Sequence, residues 1–215
     1  MLIGVNSGYN ADSAITESEE AQHMIAGKLE EFQRILPDFQ EYQIFPGVAI
    51  YRQEWGCPVG GEPVAAVTTN GNIECTLRMV EGLREAFNQS TVTVVCPTDK
   101  NGTSVQGAEA LVENDCGLKL RDFGEAWQAA AEAAFLRSKV YVSGGAYLLP
   151  GGKVVLTSIK NPLYAEKEPL SIWIEAAGSI FQSVGQQLDL PIKPVFSETK
   201  IHYLRAAGMK NSRGS

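Results

Sequence analysis

One ordering of elements recurs in this chain and limits its fold more than any single residue does. Helix, strand, strand, helix, strand can be read over residues 15–96 and again over 121–205. In the first stretch Met24, Ile25, Leu29, Phe32 and Ile35 recur at helical spacing until Pro37 stops the pattern. Two runs rich in Val, Ile and Tyr follow at 43–51 and 63–69. A second helix is marked by Ile73, Leu77, Val80 and Phe87, and a strand at 91–95 is closed by Pro97. In the second stretch Phe123, Trp127, Ala131 and Phe135 mark a helix over 121–137, with Trp127 and Trp173 expected in the core. Strands at 140–148 and 154–159 flank the turn Leu149-Pro150-Gly151-Gly152, a helix covers 170–188, and 192–205 is largely strand. Leu2–Val5 adds a short strand at the start. The polar, Gly-containing stretch 98–117 reads as a long loop with one helical turn at Ala108–Val112.

Strands joined by a short turn must be antiparallel. The fold class expected is therefore α+β, a mixed, mainly antiparallel sheet with packed helices, rather than a doubly wound parallel sheet. On one reading 15–96 and 121–205 are pseudo-repeats; on the other the sheet is single and irregular, and residue identity between the halves is too low to choose. A chain of 215 residues is within reach of one core, since single cores stop growing at roughly 250–300 residues. One compact domain over 1–209 is expected, with a flexible tail at 210–215. In the helix over 170–188, Ile172, Trp173, Ile174, Ala176, Ala177, Ile180, Phe181 and Val184 cover most of the circumference. That predicts burial on more than one side, centrally or at a contact between copies in a homo-oligomer.

Composition narrows the partners. With 44% hydrophobic residues the chain can offset the entropy of folding, which excludes wholesale disorder. A net charge of −7 without any block of Lys and Arg argues against nucleic acid and against anionic membrane surfaces. No apolar leader precedes the polar run 10–20, and no segment approaches the ~18 apolar residues of a membrane helix, so a soluble protein of the cytoplasm is expected. Cys57, Cys75, Cys96 and Cys116 form no Cys-x-x-Cys pair and are expected as free thiols. His23 and His202 stand at opposite ends of the chain, and neither a phosphate loop nor a dinucleotide fingerprint is present. No metal and no cofactor are expected.

Two segments concentrate reactive groups. The loop 52–62 carries Arg52, which could clamp a carboxylate or phosphate, the carboxylates Glu54 and Glu62 for proton transfer, the Cys57 thiol and the Trp55 indole. Its structural alternative is a wide hairpin turn with Gly60-Gly61 supplying positive φ. The second segment runs Thr68-Thr69-Asn70-Gly71-Asn72 into a helix. Free N–H groups at a helix start attract anions, which would favour a Cys75 thiolate, with Asn70 and Asn72 as ligands. The alternative is ordinary capping by Asn72 over a buried Cys75. Taken together, these features suggest a cofactor-independent enzyme acting on a small polar or anionic molecule. Cys57, Glu62 and Glu54 would be catalytic, and Arg52, Asn70, Asn72 and Cys75 would bind substrate. A non-catalytic small-ligand-binding or oligomer-forming module is the alternative.

Overall fold

A computed structural model describes residues 2–6, 16–36, 42–51, 60–69, 72–86, 91–96, 101–160 and 168–205. The elements are β1 (Leu2–Asn6), α1 (Thr16–Ile35), β2 (Tyr42–Tyr51), β3 (Gly60–Thr69), α2 (Ile73–Ala86), β4 (Thr91–Cys96), β5 (Thr103–Glu113), α3 (Leu120–Ser138), β6 (Ser143–Leu148), a 3-10 turn (Pro150–Gly152), β7 (Lys153–Ile159), α4 (Leu170–Leu188) and β8 (Val195–Arg205). The α+β class holds. Every strand pair is antiparallel, and the strands close into a barrel in the order β1-β3-β2-β6-β7-β5-β8-β4.

The stretch 98–117, expected as a loop, contains the central strand β5. It pairs with β7 from Gly107↔Ile159 to Glu113↔Lys153 and with β8 from Thr103↔Ile201 to Glu109↔Val195. The physical reason is tertiary. TSVQGAEALVE is poor in the β-branched and aromatic residues that announce a strand, and its Ala108, Ala110 and Val112 are small enough to lie under helices. With β5 in place, each half runs strand, helix, strand, strand, helix, strand. In each half the first strand lies between the third and the fourth, and the second strand is outermost. The halves meet at two seams, β2 with β6 and β4 with β8.

Helices cover the outside. In α1 the buried Ile25 and Leu29 and the half-buried Phe32 follow helical spacing. With Cys75, Met79, Val80 and Leu83 of α2 they pack on the outer residues Val67, Val92, Val94 and Cys96. The larger cluster joins Phe123, Trp127, Ala130 and Ala134 of α3 to Trp173, Ala177, Ile180 and Phe181 of α4. It lies over Ala108, Ala110, Val112, Ala146, Val154 and Leu156. The strand expected to begin at Val140 begins at Ser143. Val140–Val142 are buried but unladdered, because they carry the chain from the left-handed C-cap Lys139 to the sheet. The expectation for α4 also changes. Trp173, Ala176, Ala177, Ile180, Phe181, Val184 and Gly185 form one stripe at i, i+3, i+4 spacing, while Leu170 and Ile172 remain 47% and 41% exposed. Within the single chain one face of α4 is buried, so central burial on several sides is not what the fold provides.

Ser143-Gly144-Gly145, an unusual run inside a strand, has a packing cause. A Cβ on Gly144 would stand 2.1 Å from Cζ2 of Trp127, and one on Gly145 would stand 2.7 Å from the carbonyl oxygen of Val48. Among the described residues, no helix is long and apolar enough to cross a membrane.

Candidate functional site

Strand register assigns two faces to the barrel wall. Even-numbered residues of β5, β6 and β7 enter the helix-covered core, so the odd-numbered ones face the lumen. The two faces are not equally dry. Along β7, Val154, Leu156 and Ser158 are buried, whereas Lys153, Val155, Thr157 and Ile159 alternate with them as half-exposed residues. On β5, Glu109, Leu111 and Glu113 are exposed and Ala108, Ala110 and Val112 are not. In a closed barrel the wetter face can only look onto the lumen or its mouth. Solvent therefore reaches the inward face along β7 and the end of β5, while Phe45, Ala66, Val105, Tyr147 and Ile201 of the same parity are buried.

The lumen is also lined by small residues. Gly47 and Ala49 of β2, Ala66 of β3, Gly107 of β5, Ser143 and Gly145 of β6 and Ser197 of β8 share the inward parity. An eight-stranded barrel is filled by its own side chains only when these are bulky; otherwise it has room for a small ligand. Larger side chains share the same parity, among them Phe45, Val105, Tyr147, Val155 and Ile201. Tyr147 lies over Gly47, where a Cβ would stand 2.3 Å from the ring, and packs with Phe45 and Ala66. Burial pushes the Tyr147 phenol up to about 12, against a hydrogen bond from the Thr157 hydroxyl that favours the phenolate. Tyr147 is thus neutral at pH 7 and offers a fixed hydroxyl. Thr199 adds a second inward hydroxyl, whose oxygen is buried without a partner among the described residues.

The lower end of the lumen is where β5, β7 and β8 have Glu113, Lys153 and Val195 as terminal residues. Leu111 and Val195 there are 60% and 61% exposed, and Lys153 reaches Glu113 at 2.9 Å. On the same side, β2 outruns β6. Their last pair is Gly47↔Tyr147, and beyond it a groove of about 420 Å³ runs between Gln43–Pro46 and Leu148–Pro150. Phe45 belongs both to the groove wall and to the lumen cluster.

The residues singled out from sequence are distributed as follows. Arg52, Glu54, Cys57 and Asn70 lie outside the described residues. Glu62 is in β3 opposite Ala49. Asn72 is the N-cap of α2, its Oδ1 accepting the Cys75 N–H at 2.8 Å while its carbonyl accepts the Thr76 N–H at 3.0 Å. Cys75 is 1% exposed in the core under α1 and α2. One donor of this helix start, the Cys75 N–H, is therefore used in capping, and its thiol is packed. Asn72→Ala is expected to cost about 1 kcal/mol of stability, read as a lower urea midpoint at unchanged slope. Cys96 is buried and Cys116 exposed, neither in a disulfide. Among the described residues no three His, Cys, Asp or Glu side chains gather as metal ligands.

No protein-family model matches this chain, and no curated protein matches it. Among solved structures, a crystal structure of 6-hydroxy-D-nicotine oxidase from Arthrobacter nicotinovorans is similar over 85% of this chain and 42% of that one. The two are 13% identical with a TM-score of 0.29. This chain spans less than half of that protein's length, and a likeness of this degree carries no conclusion about fold or function.

Sequence reasoning did not find Tyr147, Thr157, Glu109 or Gly107. The signal was present in β6 and β7 as strict alternation, but in a closed barrel polar and apolar faces do not translate into outside and inside. Only register tells them apart.

Proposed function

We propose that this protein binds a small molecule in the lumen of its barrel. The observation that carries the reading is the alternation along β7 and β5, where the face away from the helices is solvent-reached although the strands close on themselves. Small residues at 47, 49, 66, 107, 143, 145 and 197 leave the room, and Tyr147, Thr157 and Thr199 supply the few oriented polar groups that such sites use. Of the two functions weighed from sequence, this supports the ligand-binding module. The enzyme reading placed its chemistry in the loop 52–62. Of that segment the described residues are Gly60, Gly61 and Glu62, which open β3 rather than a loop, with Glu62 opposite Ala49.

Gly107 provides the test. A Cβ at this position would meet its nearest neighbours at 3.5 Å, ordinary contact distance, so a side chain can be added without displacing the wall. Gly107→Leu is expected to fill the lumen and leave the fold intact. The neutral fluorescent probe N-phenyl-1-naphthylamine should bind the parent protein saturably, and Gly107→Leu should weaken that binding by at least about tenfold, or 1.4 kcal/mol. Circular dichroism checks the fold. Equal binding by both proteins, or none by the parent, removes the lumen as the site. Association between copies has separate support in the exposed Leu170 and Ile172 at the start of α4, and sedimentation of the purified chain decides it.

A further inference from the structure

Resting on the lumen as the binding site, we infer that its lower mouth selects a cationic amphiphile, an ammonium group on an apolar body, over a neutral or anionic molecule. Of the charged residues with inward parity, Glu62 and Arg205 take register positions toward the upper end, opposite Ala49 and Thr91, and those at the lower end are Glu109, Glu113 and Lys153. Glu113 and Lys153 cancel in their 2.9 Å ion pair. Glu109 remains, with no ion pair to any described residue. Its register neighbours are neutral: Thr157 on β7 and Val195 on β8. Lys200 and Glu198 stand on the outward parity of β8, pairing with each other at 3.7 Å. Lys193, two residues ahead of Val195, is exposed and makes no ion pair with Glu109.

The apolar half of the match lies beside this carboxylate. Leu111, the next inward-facing residue toward the mouth, faces Val155, and Val195 flanks it diagonally. Leu111 and Val195 spend more than half of their surface on water, in a place where a chain of methylenes or a ring would cover them. An unpaired carboxylate beside apolar side chains attracts a cation, and the chain's net charge of −7 adds to it in sign. This reverses the charge of ligand expected from the helix start at Asn72, where the side chain caps the Cys75 N–H.

Three probes of one body separate the possibilities: hexylammonium, 1-hexanol and hexanoate at pH 7, each displacing N-phenyl-1-naphthylamine from the parent protein and from Glu109→Gln. The expected order is hexylammonium, then hexanol, then hexanoate, with the first two separated by roughly threefold, in keeping with an exposed ion pair. Glu109→Gln should erase that separation while leaving hexanol unchanged, and 0.5 M salt should reduce it in the parent. Equal displacement by all three, or an order that survives Glu109→Gln, overturns the cation preference and leaves the lumen site standing. A parent protein that never binds the naphthylamine overturns the lumen reading and this inference with it.

Discussion

Trp127→Ala is expected to lower the free energy of unfolding by about 3–5 kcal/mol, the range for deleting a large aromatic from a rigid core. Trp127 is 1% exposed, meets Phe181 edge-on at 5.0 Å between ring centroids with planes at 74°, and rests on the bare backbone of Gly144. It thus ties α3 to α4 and both to the barrel wall. Its indole N–H is buried without a hydrogen-bond partner among the described residues, so the ring stabilises by packing alone and the N–H detracts. Trp127→Phe should accordingly cost far less than the alanine variant. Urea denaturation of the three proteins checks both statements. A tryptophan-to-alanine cost below about 1 kcal/mol would mean that the helix layer is not packed in this way.

Gly144→Ala is expected to be nearly as damaging although it adds a single methyl. The new Cβ would stand 2.1 Å from Trp127 Cζ2 and 2.6 Å from the carbonyl oxygen of Thr157 in the neighbouring strand. The indole can tilt, but the carbonyl is held by the β6–β7 ladder, in which Gly144 pairs with Ser158 and Gly145 with Thr157. Overpacking of this kind costs about 1–3 kcal/mol and more where backbone must move, so a loss of about 3 kcal/mol is expected. The two sites touch, and their effects should not add. Removing the indole relieves one of the two clashes, so Trp127→Ala with Gly144→Ala should fall short of the summed losses by about 0.5–3 kcal/mol. Strict additivity would place the indole elsewhere.

The candidate site shows where sequence reading stops. Trp127 and Trp173 could be placed in the core from their helical spacing alone, and both are there. Capping by Asn72 was one of two open possibilities, and the 2.8 Å bond from the Cys75 N–H shows it. Glu109 and Gly107 could not be found in the same way. They lie in a strand whose alanines, glutamates and glycine carry little β signal, so the segment looks like a polar connector until β7 and β8 are laid on either side of it.

What the sequence determined by itself is local: where helices begin and end, which stretches extend, that hairpin partners run antiparallel, and that the class is α+β. These follow from periodicity of 3.6 and 2.0 and from turn chemistry, which act over a few residues. Closure was decided only in three dimensions. The seams β2 with β6 and β4 with β8 join residues about a hundred positions apart, such as Ala49 with Gly145 and Val94 with His202, and no short-range pattern records them. Pairing of β6, β7 and β5 puts Tyr147, Thr157 and Glu109 on one face, and closure decided that this face looks onto the lumen.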